Sequence, residues 1–156
     1  MASSTANVDL SPTARRRDRR AARVLSWSLR LFGSVDLLAT VAVVMPVAWL
    51  KAGHALCGLG EFPAGPLPLY LARSTSLLYA FHGAILWFLA TDVRRFAPLI
   101  RFIGGVTIAF GSALVFIDLA AGIPPWWTWS EGPVFAASGT WLLAWNSRVS
   151  KHEMIR

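Results

Sequence analysis

Two apolar stretches, Leu69 to Ala90 and Leu99 to Ala121, are joined by the short basic turn Thr91 to Pro98. Each is roughly 20 residues long, the length an α-helix needs to cross a bilayer core of about 30 Å. Arginine beside membrane spans stays inside, so the pattern predicts a helical hairpin with its turn in the cytoplasm. Two more apolar runs flank it. The first spans residues 25–50, with Trp27 and Trp49 near its ends and Pro46 one turn before the outer end, where it predicts an early stop. The last, residues 131–148, follows the cluster Trp126, Trp127 and Trp129 and is the shortest. The fold class expected is all-α: an integral membrane four-helix bundle, up-down-up-down, with helices near 25–50, 69–94, 98–121 and 131–148. Residues 1–23 read as a disordered basic tail, 51–68 as a Gly- and Pro-rich outer loop, and 149–156 as a second cytoplasmic tail.

Composition agrees with a membrane class: 156 residues, 55% hydrophobic, mean hydropathy +0.52. A net charge of +7 would suggest nucleic acid if the basic residues shared one polar surface. Instead Arg15, Arg16, Arg17, Arg19, Arg20 and Arg23, then Arg94, Arg95 and Arg101, then Arg148, Lys151 and Arg156 each flank an apolar run. Nucleic acid is therefore not an expected partner; the bilayer is, with anionic lipids at the basic tails. Of 15 Lys and Arg, only Lys51 and Arg73 fall on the outer side, which places both termini in the cytoplasm and the chain in a bacterial inner membrane as a multi-pass protein. Cys57 is the single cysteine, which rules out an internal disulfide and a multi-cysteine metal site.

Small residues recur at four-residue spacing as Ala72, Ser76, Ala80 and Ala84 on the second helix, and as Gly105, Ala109 and Ala113 on the third. In lipid such stripes let backbones approach, so these two helices are expected to pack together. Pro98 suits a first turn and Gly122 a helix exit. Trp27, Trp49, Trp126, Trp127, Trp129 and Trp145 read as interface anchors. A short echo links Arg30 to Val35 with Arg101 to Val106, as a duplicated hairpin would require, although the second and fourth helices match poorly.

Ionisable groups at membrane depth are costly, and each needs a reason. Counted from the inner ends at 1.5 Å per residue, Asp36, His82, Thr107 and Thr140 fall on one inner layer about 12 Å deep. A carboxylate beside an imidazole holds it as a charged partner or fixes its tautomer. The layer is a structural polar lock or a proton- or ligand-responsive site. A second, outer layer holds Arg73, Asp118 and Glu131, with Arg73 and Asp118 expected to pair. Zinc helices, phosphate loops, nucleophile elbows and a second haem-facing histidine are all missing, so no catalytic residue, metal or cofactor is predicted.

The stretches Leu78 to Ala84, Asp92 to Phe102 and Ile117 to Gly122, with Trp126-Trp127-Thr128 and Glu131-Gly132-Pro133, resemble a group of small four-helix bacterial membrane proteins to which no activity is attached. In size and layout the chain is also similar to DoxX-like membrane proteins, some of which are linked to quinone or sulfur redox chemistry; that likeness transfers no residues. The role expected is a non-catalytic membrane component or assembly partner, packing with itself or with other membrane proteins. A small-solute or proton-coupled carrier acting as an oligomer, and a quinone-reactive redox subunit, are the two alternatives.

Overall fold

A computed structural model gives the fold, and the structure describes residues 11–149. These are all-α: α1 (Pro12–Leu37), α2 (Thr40–Val44), α3 (Val47–Leu56), α4 (Pro66–Leu89), α5 (Ala97–Ala121) and α6 (Pro125–Val149). Residues 1–10 of the expected tail and 150–156 lie outside the described residues.

Three boundaries depart from the sequence expectation. Residues 12–23 are not a tail. Ser11 caps α1, its hydroxyl accepting from the Ala14 amide at 3.3 Å, and Pro12 opens the first turn. The arginine block is thus helical, and Asp18 within it is ion-paired with Arg94 of the turn between α4 and α5. The first apolar run is not one helix either. Pro46 forces Met45 to an extended conformation (ψ 151°), which ends α2, and α3 restarts from Val47 into the expected outer loop. The last helix begins at Pro125 rather than 131, so Trp126, Trp127 and Trp129 lie on α6, and Pro133 is inside it. The turn itself is held by Asp92, whose Oδ1 accepts from the amides of Arg94 (3.2 Å) and Arg95 (3.1 Å). Gly122 ends α5 in the left-handed region (φ 68°).

The four long helices associate as two hairpins, α1 with α4 and α5 with α6, joined where α1 lies against α6. The expected seam between α4 and α5 is not among the main helix contacts. Gly105, Ala109, Ala113 and Ala84 face outward, and a Cβ on Gly105 would meet nothing within 4 Å. Ala80 is buried and Ala72 and Ser76 half-buried, on a helix that packs against α1 and α2. The close contacts are glycine on glycine at other positions. A Cβ on Gly33 would sit 2.7 Å from the Gly83 carbonyl oxygen; one on Gly111 would sit 2.5 Å from that of Gly132, and one on Gly139 2.5 Å from that of Gly104. Backbones this close gain dispersion and Cα–H···O contacts that any side chain would forbid.

Around one glycine pair the two hairpins share a register. Gly83 abuts Gly33, Asp36 and Leu37 of α1, and Gly139 abuts Gly104 and Ile108 of α5; Gly33 meets Trp87, and Gly104 meets Leu143. In this register Gly33, Asp36 and Leu37 correspond to Gly104, Thr107 and Ile108. Tyr79, His82, Gly83, Leu86 and Trp87 correspond to Phe135, Ser138, Gly139, Leu142 and Leu143. The Arg30 and Arg101 echo lies in the same register.

The core is apolar, with Leu25, Leu29, Leu86, Leu89, Ile100 and Leu142, but it also encloses polar groups, and large apolar side chains cover the outside as well. Thr107, Asp118, Thr128 and Asn146 are buried, while Trp27, Phe81, Phe102 and Phe116 are exposed. Side-chain hydrogen bonds tie the helices together: Asn146 Nδ2 to the Ala97 carbonyl (2.9 Å), Ser26 Oγ to the Ala90 carbonyl (2.8 Å), and Trp141 Nε1 to Ser28 Oγ (2.9 Å). Among the described residues two helices are long and apolar enough to cross a membrane, Pro12–Val44 taken as one and Ala97–Ala121. In their most apolar windows only 11% and 22% of residues are buried.

One substitution at two neighbouring sites separates the real seam from the apparent one. Gly111→Ala should lower thermal stability in mild detergent by about 1–3 kcal/mol, because the methyl group meets backbone. Gly105→Ala should leave stability unchanged or raise it by up to about 1 kcal/mol through helix propensity.

Candidate functional site

One face of α4 organises the polar chemistry. Tyr79 and His82 are three residues apart and so project on the same side of the helix. His82 Nδ1 lies 2.7 Å from Asp36 Oδ2 of α1. One turn earlier the Tyr79 hydroxyl donates to Glu131 Oε1 of α6 at 3.3 Å. The other oxygen of Glu131 accepts from Trp127 Nε1 at 2.5 Å, four residues back on its own helix. The Tyr79 ring stacks on Phe135 with centroids 6.0 Å apart, and Phe110 meets Phe135 edge-on at 5.3 Å.

Asp36, His82 and Glu131 all line one cavity of about 390 Å³, bounded by α1, α4, α6 and Thr107 of α5. Its remaining wall is mostly apolar, with Leu31, Phe32, Val35, Leu86, Val134 and Leu142. The volume is within the range that holds small organic ligands. Asp36 orients the imidazole through Nδ1. Neutral His82 then presents Nε2 as an acceptor, and charged His82 presents it as a donor.

Of the expected inner layer, Asp36 and His82 meet directly. Thr107 borders the same cavity, but its hydroxyl donates to the Ile103 carbonyl of its own helix (2.8 Å). Thr140 is exposed and bonds to the Ala136 carbonyl (2.8 Å), so it does not belong to the group. The expected outer layer divides. Glu131 joins the Asp36 and His82 cavity, because α6 starts earlier than expected and carries it deeper. Arg73 donates to the Met45 carbonyl at 3.3 Å, one of the groups set free where Pro46 interrupts the helix. It makes no ion pair with Asp118, whose Oδ2 is buried without a partner; Thr128 Oγ1 is in the same condition.

Four of the six expected anchors, Trp27, Trp49, Trp126 and Trp129, are largely exposed. Trp127 turns inward to Glu131. Trp145 packs against the core with the Arg148 guanidinium 4.3 Å above its ring. Sequence reasoning missed Tyr79, Trp127 and Ser138 as neighbours of the site. The spacing of Tyr79 to His82, and of Trp127 to Glu131, was the available signal. Among the described residues no group of three or more His, Cys, Asp or Glu is placed to hold a metal ion.

No protein-family model, curated protein or solved structure matches this chain.

The hairpin correspondence supplies its own test of the ion pair. Asp36→Thr with His82→Ser gives the first hairpin the hydroxyls of the second, and thermal stability in detergent should stay within about 1 kcal/mol of the parent. His82→Ser alone leaves the Asp36 carboxylate without its partner and should cost about 1–3 kcal/mol.

Proposed function

We propose that this chain is a small integral membrane protein of the bacterial inner membrane, a four-helix bundle with both termini in the cytoplasm. Its role is non-catalytic: it binds a small, largely apolar molecule in the cavity between its two hairpins. The cavity walled by Leu31, Phe32, Leu86 and Leu142, and furnished with His82, Asp36 and Glu131, is the observation that carries the binding role. A few convergent polar groups in an otherwise apolar pocket are what orients a ligand while burial supplies most of the affinity.

The membrane setting rests on where apolar surface lies. A core helix of a water-soluble domain would be mostly buried, and the two most apolar helices are not. Large side chains such as Leu38, Phe81, Phe102 and Phe116 are exposed on the outside of the chain, as lipid-facing residues are. The other two long helices, α4 with 24 residues and α6 with 25, also reach across a bilayer core at 1.5 Å per residue. Charges that lie within the spans are drawn inward, Asp36 to His82 and Glu131 to Tyr79 and Trp127. The Arg94–Asp18 pair ties the start of α1 to the basic turn, consistent with both lying on one side.

Two measurements test the reading. Reporters after Gly60 and Gly122 should be found outside the cytoplasm, and one at the carboxyl terminus inside; a cytoplasmic reporter at either glycine defeats the threading. For the cavity, Ser138→Cys in a Cys57→Ser background places a single thiol in the wall, at a position whose hydroxyl bonds only to the Val134 carbonyl of its own helix (2.8 Å). Neopentylbenzene should slow its reaction with N-ethylmaleimide, while the same thiol at outward-facing Ala113 should be unaffected.

A further inference from the structure

The two carboxylates of the cavity are not in the same condition. Asp36 has the imidazole of His82 at 2.7 Å. Glu131 has two neutral donors, the Tyr79 hydroxyl and the Trp127 indole. Among the described residues no Lys, Arg or His lies within ion-pair distance of it. Neutral donors solvate a carboxylate but leave its charge in place. With both carboxylates ionised and His82 charged, the three ionisable groups of the wall still carry one negative charge in excess. Besides Asp36 and His82 of the wall, Tyr79 of α4 and Asp118 of α5 are within electrostatic reach of this end of the cavity, and neither adds positive charge. An unpaired carboxylate in a low-dielectric site attracts a cation far more strongly than it would in water.

The rest of the wall says which kind of cation. A metal ion needs several oxygen or nitrogen ligands converging on one point, and among the described residues no three His, Cys, Asp or Glu side chains do so. Aliphatic side chains and the ring of Phe32 offer instead a surface for an apolar body. Aromatic faces also attract ammonium groups. We propose that the cavity takes a lipophilic organic cation, such as a substituted ammonium, with Glu131 as its counter-ion. This rests on the cavity being a ligand site, and it adds the charge and chemical class of what enters.

The thiol-protection assay on the full chain, carrying Cys57→Ser and Ser138→Cys, decides it with a matched pair of probes. Benzyltrimethylammonium and neopentylbenzene have the same shape and differ in one quaternary centre, nitrogen or carbon. Both should protect the thiol. Adding Glu131→Gln, which keeps an oxygen for Trp127 and removes the charge, should raise the concentration of the cation needed for half-protection at least about tenfold. It should leave the neutral compound within about twofold, since apolar burial is unchanged. An equal effect of Glu131→Gln on both probes, or on neither, overturns the proposal. If Glu131→Gln does not fold, benzylsulfonate replaces it as the contrast. The cation should then protect and the sulfonate should not, and equal protection by the two is the contrary result. Protection by neopentylbenzene without protection by the cation sinks this inference and leaves the cavity reading intact, whereas protection by neither compound sinks both.

Discussion

Backbone contact at glycine is the constraint on which the rest of this structure depends. Gly33 against Gly83, Gly104 against Gly139 and Gly111 against Gly132 bring helix axes together more closely than any side chain would allow. In the membrane setting proposed above, apolar burial gives helices little reason to associate, and close van der Waals contact supplies it. These contacts lie inside the two hairpins. Between the hairpins the facing residues are large: Tyr79 and Phe135, equivalent positions in the two halves, stack on each other at 6.0 Å. Rings that meet across the interface hold the helices apart around them. The cavity is the space that tight packing within each pair, and bulky packing between the pairs, leaves open.

Polar chemistry reaches that space because α4 faces two ways at once. Its Tyr79 and His82 share one side of the helix and take one carboxylate from α6 and one from α1. Two acids on different helices are thereby brought to one cavity without touching each other's donors. The difference in their partners, an imidazole for Asp36 and neutral donors for Glu131, follows from that one-turn separation along α4.

Much of the local structure was legible in the sequence. Pro46, Pro98 and Gly122 act as their backbone chemistry requires, and the basic turn between α4 and α5 falls where the apolar runs part. The meeting of Asp36 with His82 follows from equal depth on antiparallel helices. What misled was choosing among equivalent patterns. The small-residue stripe Gly105, Ala109, Ala113 and the seven-residue pairs Gly104 with Gly111 and Gly132 with Gly139 are all plausible seams. Only the occurrence of the same spacing on both α5 and α6 distinguishes the second. The start of α1 was missed although Ser11-Pro12 is a recognised opening for a helix, because the arginines that follow were read for their charge alone. Arg73 turns to the Met45 carbonyl and not to Asp118, and a residue count, which gives level alone, does not show which way a side chain turns.

The echo between Arg30 to Val35 and Arg101 to Val106 turns out to mark equivalent positions, and the comparison it permits bears on what the ion pair is for. Both hairpins close through the same glycine contacts, Gly33 with Gly83 and Gly104 with Gly139. In the first hairpin the neighbours on the cavity side are Asp36 and His82. In the second they are Thr107 and Ser138, whose hydroxyls bond only within their own helices. Packing a hairpin of this design therefore does not require a carboxylate and an imidazole, since one of the two does without them. On the reading proposed above, a carboxylate–imidazole pair with no counterpart in the other hairpin, set beside a cavity and next to a carboxylate that has no cation of its own, serves the cavity rather than the assembly of the helices.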